Sequence, residues 1–323
     1  MAQVIRMHEI GAPDVLRVEH EDVGLPGPGQ VRMTQDAIGV NFVDTMERTG
    51  RFPVTLPAIP GFEGAGTVTH IGEHVNGFAP GDRVAYFFAA GGYASERLIS
   101  ADALVKLPPD ICTFHAATFL AKGLTAWMAL RALHPLRAGE TALVIGASGA
   151  VGSVLSRWAK SLGATVLGVA GSREKLAKVR AGAHHAFHSG DPAIAQKIRA
   201  VAPDGVDVVF DFVGAVTSAL ALQSVRDGGD IVAIGAASGD ALDQPAEVAR
   251  RDVRIMRGGT PQFVNAGTID ASSAELFSLM RAGTFSDLDV VHFELADAVA
   301  AHRAIEARSL SGIALLVPGV VSC

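Results

Sequence analysis

The chain has 323 residues, room for about two domains at roughly 150 residues each. Apolar residues make up 49% and charged residues 19%, which excludes a disordered chain and permits a sizeable core. With 27 Lys plus Arg against 33 Asp plus Glu the formal charge is -6, so the chain is a poor general nucleic-acid binder, although a local basic patch stays open.

Two cysteines, Cys112 and Cys323, are too few for a cysteine-based zinc site and argue against a disulfide framework. No apolar run reaches about 18 residues, and Met1 to Gly11 has neither a basic leader nor an apolar core. A cytoplasmic protein without a membrane span is therefore expected. The 36 glycines predict many tight turns and close backbone approaches.

The first third reads as β-rich. Strands are predicted over Gln3–Met7, Leu16–His20, Gln30–Val40 and Gly64–Ile71, with a turn cluster at Leu25-Pro-Gly-Pro-Gly29. Gly81–Tyr86 and Tyr93–Ile99 flank Ala89-Ala-Gly-Gly92, which predicts a hairpin. Many short strands suggest a partly closed β-barrel. Phe114–Leu133 has helical apolar spacing.

From residue 141 strands and helices alternate. Strands are predicted at Thr141–Ile145, Thr165–Ala170, Val206–Val213 and Asp230–Ile234, and helices at Val151–Leu162, Arg173–Ala181 and Asp191–Ala200. Such alternation predicts an α/β unit with a parallel sheet and helices on both faces. A helix at Ala271–Arg281, a strand at Val290–Leu295, a helix around Asp297–Ala307 and a strand at Ala314–Val317 close the chain. The expected division is a Rossmann cofactor domain at 122–264 and a second domain formed by 1–121 and 265–323.

The strongest motif is Leu143-Val-Ile-Gly146-Ala-Ser148-Gly149-Ala150-Val151-Gly152. It reads G-x-x-G-x-x-G between a buried strand and a helix, the context in which a dinucleotide is bound. Glycine at 149 lets the backbone approach a pyrophosphate, and glycine at 152 lets the helix pack close to the strand. The amides of Gly149, Ala150 and Val151 are expected to point at the phosphates from the helix N-terminus. A turn with spare glycines is the bland alternative.

The next strand ends Val169-Ala-Gly-Ser172-Arg173-Glu174-Lys175. A hydroxyl and two cations suit a 2′-phosphate, which predicts NADPH over NADH. Glu174 complicates that reading, and the alternative is that Ser172 caps the next helix while Arg173 and Lys175 face solvent.

At this point the sequence resembles the zinc-independent quinone oxidoreductases, the zeta-crystallin-like branch of the medium-chain dehydrogenase/reductase superfamily. The resemblance is carried by Ile38-Gly-Val-Asn41-Phe-Val-Asp44-Thr, Pro60-Gly-Phe62-Glu63-Gly-Ala-Gly66 and Phe119-Leu-Ala-Lys122-Gly-Leu-Thr125-Ala. Gly146–Gly152, Ser172 to Lys175, Ile234-Gly235, Ser238-Gly239 and Ser311-Gly312 through Pro318 extend it almost end to end. It implies a GroES-like β-barrel domain beside a Rossmann domain, an active site in the cleft, and a homodimer built on an edge strand near Ile231–Ala236. Zinc-dependent relatives place a cysteine where this chain has Asn41 and a histidine where it has Phe62, so no metal is expected.

The resemblance further implies that Asn41 hydrogen-bonds the substrate carbonyl, with a buried structural amide as the alternative. It places Thr125 near the nicotinamide ribose, with a helix-interior threonine as the alternative. His188 stands where the family often has a tyrosine near the adenosine phosphate, and Gly235, Phe263 and Val264 fall on cofactor-lining positions. His184 and His185 read as ordinary histidines. Family members often carry tyrosines where this chain has Met46 and Phe52, so the pocket lined by Met46, Phe52 and Phe62 is short of hydroxyls. Arg48 or Arg51 on its rim is a further option, solvation of each being the alternative. The expected activity is NADPH-dependent reduction of a quinone by direct hydride transfer. A C=C reductase on the same scaffold and a non-catalytic NADPH-binding protein are the alternatives.

Overall fold

The computed structural model describes residues 1–235, 238–239, 245–310 and 312–319. Ala236, Ser311 and Cys323, named above, lie outside the described residues. In chain order the strands are β1 Ala2–Arg6, β2 Arg17–Glu21, β3 Gln30–Gly39, β4 Glu63–Ile71, β5 Arg83–Phe87, β6 Glu96–Ser100 and β7 Leu104–Lys106. There follow β8 Thr141–Ile145, β9 Thr165–Ala170, β10 His185–His188, β11 Val206–Asp211, β12 Val225–Ala233 and β13 Arg254–Met256, then β14 Val290–Glu294 and β15 Ile313–Val317.

The chain divides into two units, Met1–Ala121 with Asp289–Cys323, and Lys122–Leu288. The return to the first unit therefore comes at Asp289 rather than at residue 265. The reason is the packing of 265–288. In helix Ile269–Arg281, Leu276 fills the space beside Gly123, and Glu275 pairs with Arg131. Asp287 then grips the buried Arg157 through both carboxylate oxygens, each at 2.6 Å.

The first unit is GroES-like. Its main sheet runs β14-β15-β3-β4-β5-β7, with β6 on β3, and β1-β2 form a separate ribbon. The hairpin expected around Ala89–Gly92 does not form. β5 pairs with β4 and β7, whereas β6 pairs with β3. The chain turns away between them because Phe88 (φ 58°) and Gly91 (φ 88°) are left-handed. Tyr93 then bonds Pro60 and Ile5 through its backbone. A helix at Phe42–Arg48 follows β3 directly, where the sequence reading placed none.

The second unit is a Rossmann fold. Its six strands are all parallel, in the order β10-β9-β8-β11-β12-β13. Sheet residues such as Leu143, Ile145, Leu167, Val209 and Ile231 form one core with helix residues Ile194, Ile198, Ala221 and Leu222. Burial on both faces explains why these strands read as near-continuous apolar runs. Ile231 is not on a sheet edge, as the sequence reading had it, because β12 is covered by β13 through Ile231↔Ile255. The sheet's edge strands are β10 and β13. β10 and β13, four and three residues long, were too short and too polar to stand out.

Candidate active site

In the second unit the glycine loop joins β8 to helix Ala150–Ser161, whose N-cap is Gly149. Gly146 has φ 86°, a conformation open to glycine at little cost. A Cβ on Gly152 would overlap the Gly146 carbonyl, so strand and helix touch through bare backbone. The Gly149 N–H is not presented to a ligand, contrary to expectation. It donates back to the Gly146 carbonyl at 2.9 Å and tightens the loop. Ala150, Val151 and Gly152 supply the first-turn amides, which have no intrahelical carbonyl to meet. Together with the helix dipole they make an anion site.

Gly146 and Gly235 both pack on the turn after β11. A Cβ on Gly146 would lie 3.3 Å from Val213, and one on Gly235 would overlap the Phe212 backbone. Asp211 holds that turn: its buried carboxylate accepts from the Val213 and Gly214 amides and the Thr217 hydroxyl. On another side, Thr125 Oγ1 lies 3.0 Å from Thr260 Oγ1, so its hydroxyl reaches a neighbouring element. Helix Thr260–Phe263 then positions Phe263 and Val264, with Val264 N–H bonded to Thr260.

At the ends of β9 and β10, Ser172, Arg173 and His188 all act on the Glu174 carboxyl. Ser172 does not cap the next helix, whose N-cap is Lys175. Its hydroxyl is bonded instead to Glu174, and this, more than His188 and Arg173, holds the Glu174 carboxyl below its usual range. His188 ends β10 opposite Ala170, and its Nδ1 is buried with no hydrogen-bond partner among the described residues. His184 is structural: its Nδ1 accepts from Val166 N–H at 3.0 Å.

In the first unit Asn41, Met46, Phe52 and Phe62 come together. Asn41 is the N-cap of helix Phe42–Arg48, and its N–H donates to Asp44 Oδ2 at 2.8 Å. The helix ends in a turn that brings Phe52 N–H to the Met46 carbonyl at 3.0 Å. Phe52 meets Phe62 edge-on at 5.7 Å, and Phe88 stacks on Phe62 at 5.2 Å. Phe88 was missed by the sequence reading. Its left-handed backbone, which turns the ring back onto Phe62, has no signal in a bulky side chain.

Behind this surface lies a buried polar chain. Arg48 is fully buried, so neither the rim nor the solvated reading holds for it. Its Nε donates to His302 Nδ1 at 3.2 Å, and its other nitrogens reach the Gly11 carbonyl and Glu306. Tyr93 OH donates to Asp44 Oδ2 at 2.8 Å and lies 3.0 Å from His302 Nε2. The donor count leaves one arrangement: His302 is neutral, accepts at Nδ1 and donates from Nε2 to the Tyr93 oxygen. Burial, helped by the Arg48 charge, pushes its pKa down to about 3. Burial raises the neighbouring Glu47 to about 7, against a Gly61 backbone bond that works the other way. Glu47 Oε2 has no hydrogen-bond partner among the described residues.

Sheet order, glycine loop and GroES-like neighbour define the class: a dinucleotide-binding oxidoreductase of two units. Comparisons with known proteins narrow it. The alcohol dehydrogenase GroES-like domain family matches residues 27–109, and the zinc-binding dehydrogenase family matches residues 150–266. A 2-haloacrylate reductase from a Burkholderia species is 36% identical, over 98% of this chain and 99% of that protein. The quinone oxidoreductase of Pseudomonas syringae is 34% identical with a TM-score of 0.94, over 98% of this chain and all of that one. The Escherichia coli quinone oxidoreductase complexed with NADPH is 31% identical with a TM-score of 0.93, over 98% and 100%. The chain belongs to the zeta-crystallin-like quinone oxidoreductase branch of the medium-chain dehydrogenase/reductase superfamily.

One of these families is described by zinc binding, and the residues here do not fit that metal. Phe62 offers no donor atom, and the Asn41 amide nitrogen is turned to the Glu63 carboxylate. Among the described residues no helix is long and apolar enough to cross a membrane.

Proposed function

We propose that this chain is an NADPH-dependent reductase of quinones or related conjugated carbonyl acceptors, working without a metal ion. The observation that carries the reading is the glycine loop, where a Cβ at 152 would overlap backbone and the first-turn amides are left to an anion. The E. coli relative complexed with NADPH supports the choice of cofactor. NADPH, when bound, supplies the hydride. Ala150 and Val151 hold the pyrophosphate through their amides, on a loop shaped by Gly146, Ser148, Gly149 and Gly152. Ser172, Arg173, Lys175 and His188 receive the 2′-phosphate, and Thr125, Gly235, Phe263 and Val264 line the nicotinamide end. Asn41 donates to the acceptor oxygen as negative charge grows on it. Met46, Phe52 and Phe62, joined by Phe88, supply an apolar wall. None of the four carries a hydroxyl, so water protonates the product.

A second reading is reduction of a C=C bond conjugated to a carbonyl, which the 2-haloacrylate reductase relative favours. NADPH oxidation measured against a panel of quinones, enones and unsaturated acids separates the two. Turnover of enones or unsaturated acids without quinones selects the second reading, and NADPH binding without turnover of any acceptor overturns both. Lys175→Ala tests the phosphate assignment: NADPH affinity falls about tenfold while NADH affinity holds, and unchanged NADPH affinity refutes it. We place the chain in the cytoplasm as a homodimer joined through β13, one of the two edge strands of the parallel sheet and the one next to Ile231. A sedimentation mass of one chain refutes the dimer.

A further inference from the structure

We propose that Glu63 is a positioning residue: its carboxylate fixes which end of the Asn41 amide is presented to the acceptor. The inference rests on the reading of Asn41 as the donor to the acceptor oxygen. Glu63 opens β4, immediately after Phe62, and is completely buried. Its Oε2 accepts from Asn41 Nδ2 at 3.0 Å. Its Oε1 accepts from the Ala121 backbone N–H, inside helix Thr113–Trp127, at 2.7 Å. The carboxylate fits against the last residue of β3 only because that residue is glycine. A Cβ on Gly39 would overlap Oε2 and lie 2.9 Å from the Ala117 carbonyl. Strand end, helix backbone and missing side chain together leave the carboxylate one place.

A carboxylate only accepts hydrogen bonds, so the amide end facing it is NH2, and Oδ1 points the other way. A bond to a charged acceptor is about twice as strong as a neutral one, so the flipped amide is disfavoured. Of the two Nδ2 hydrogens, one goes to Glu63. The Gly39 carbonyl, at 3.5 Å from Nδ2, is too far for a firm bond. One N–H therefore stays available to a ligand, with its direction set by the bond to Glu63. If the amide flipped, its carbonyl would take that place and repel a growing oxyanion. A glutamine at 63 keeps the shape but offers its own NH2, and Asn41 is then free to flip.

The test is a double-mutant cycle on the full chain, reading kcat with the best acceptor and NADPH affinity by fluorescence titration. Asn41→Ala and Glu63→Gln each lower kcat by about tenfold or more, with NADPH affinity unchanged. The double variant is no slower than Asn41→Ala alone, because Glu63 acts only through Asn41. If the two losses multiply, or if Glu63→Gln keeps wild-type kcat, the proposal is overturned while the reading of Asn41 stands. If Asn41→Ala keeps wild-type kcat, the reading of Asn41 falls and the proposal with it. Should Glu63→Gln fail to fold, Asn41→Asp decides the matter. Two carboxylates about 3 Å apart must share a proton, so kcat of Asn41→Asp gains a new pH dependence between about pH 5 and 8. A flat profile overturns the proposal.

Discussion

Glu47→Gln should change how the stability of the first unit depends on pH, and the size of the change follows from two neighbours. In the folded protein Glu47 titrates at about 7 against an ordinary 4.5, and His302 at about 3 against an ordinary 6.5. The signs oppose. A raised carboxyl favours folding when protonated, so its contribution is complete below pH 4.5 and is lost as pH rises through 7. A depressed imidazole favours folding when neutral, so its contribution is complete above pH 6.5 and is lost as pH falls toward 3. At about 1.4 kcal/mol per pH unit, going from pH 8 to 5 gains about 2.5 kcal/mol at Glu47 and loses about 2 kcal/mol at His302. In the wild type the two nearly cancel. Glu47→Gln removes the first and leaves the second, so the variant itself loses about 2 kcal/mol over that range and falls about 2.5 kcal/mol relative to wild type. The assay is urea unfolding at pH 5 and pH 8, followed by the near-ultraviolet tyrosine signal. The chain's two tyrosines, Tyr86 and Tyr93, are both fully buried in this unit. A wild-type-to-variant difference that is the same at both pH values would falsify the reasoning.

Three other outcomes are expected. Gly152→Ala forces the Gly146 carbonyl to move and should weaken NADPH binding by at least about tenfold, measured by titration calorimetry; unchanged affinity would mean that the loop does not hold the pyrophosphate. Arg48→Met strips a buried cation from His302, Glu306 and the Gly11 carbonyl, and should cost about 3 kcal/mol in the same tyrosine-monitored unfolding. A loss under 1 kcal/mol would show that the pair is replaceable by apolar packing. Phe88→Ala removes the ring stacked on Phe62 and should raise KM for bulky apolar acceptors several-fold while leaving KM for NADPH unchanged. Equal KM values for large and small acceptors in wild type and variant would remove Phe88 from the acceptor wall.

What the sequence determined by itself is the class of fold and the identity of its loops. Thr141–Ile145 and Thr165–Ala170 were legible to the residue, because a strand buried on both faces must be apolar throughout. The glycine spacing between them announced a turn where strand and helix meet through bare backbone, as Gly146 and Gly152 do. Tertiary structure decided what depends on partners far along the chain. That Arg48 is buried follows from His302 and Glu306, more than 250 residues away, and no local pattern carries that distance. The unit boundary at Asp289 was set by the packing of Leu276 and Asp287, not by the composition around residue 265. The many glycines likewise acquired separate duties only in three dimensions. Gly152 and Gly235 stand where backbones touch, Gly146 where the chain must turn left-handed, and Gly39 where a buried carboxylate takes the room of a side chain. Glycine content predicts close approach, but the group that approaches is chosen by the fold.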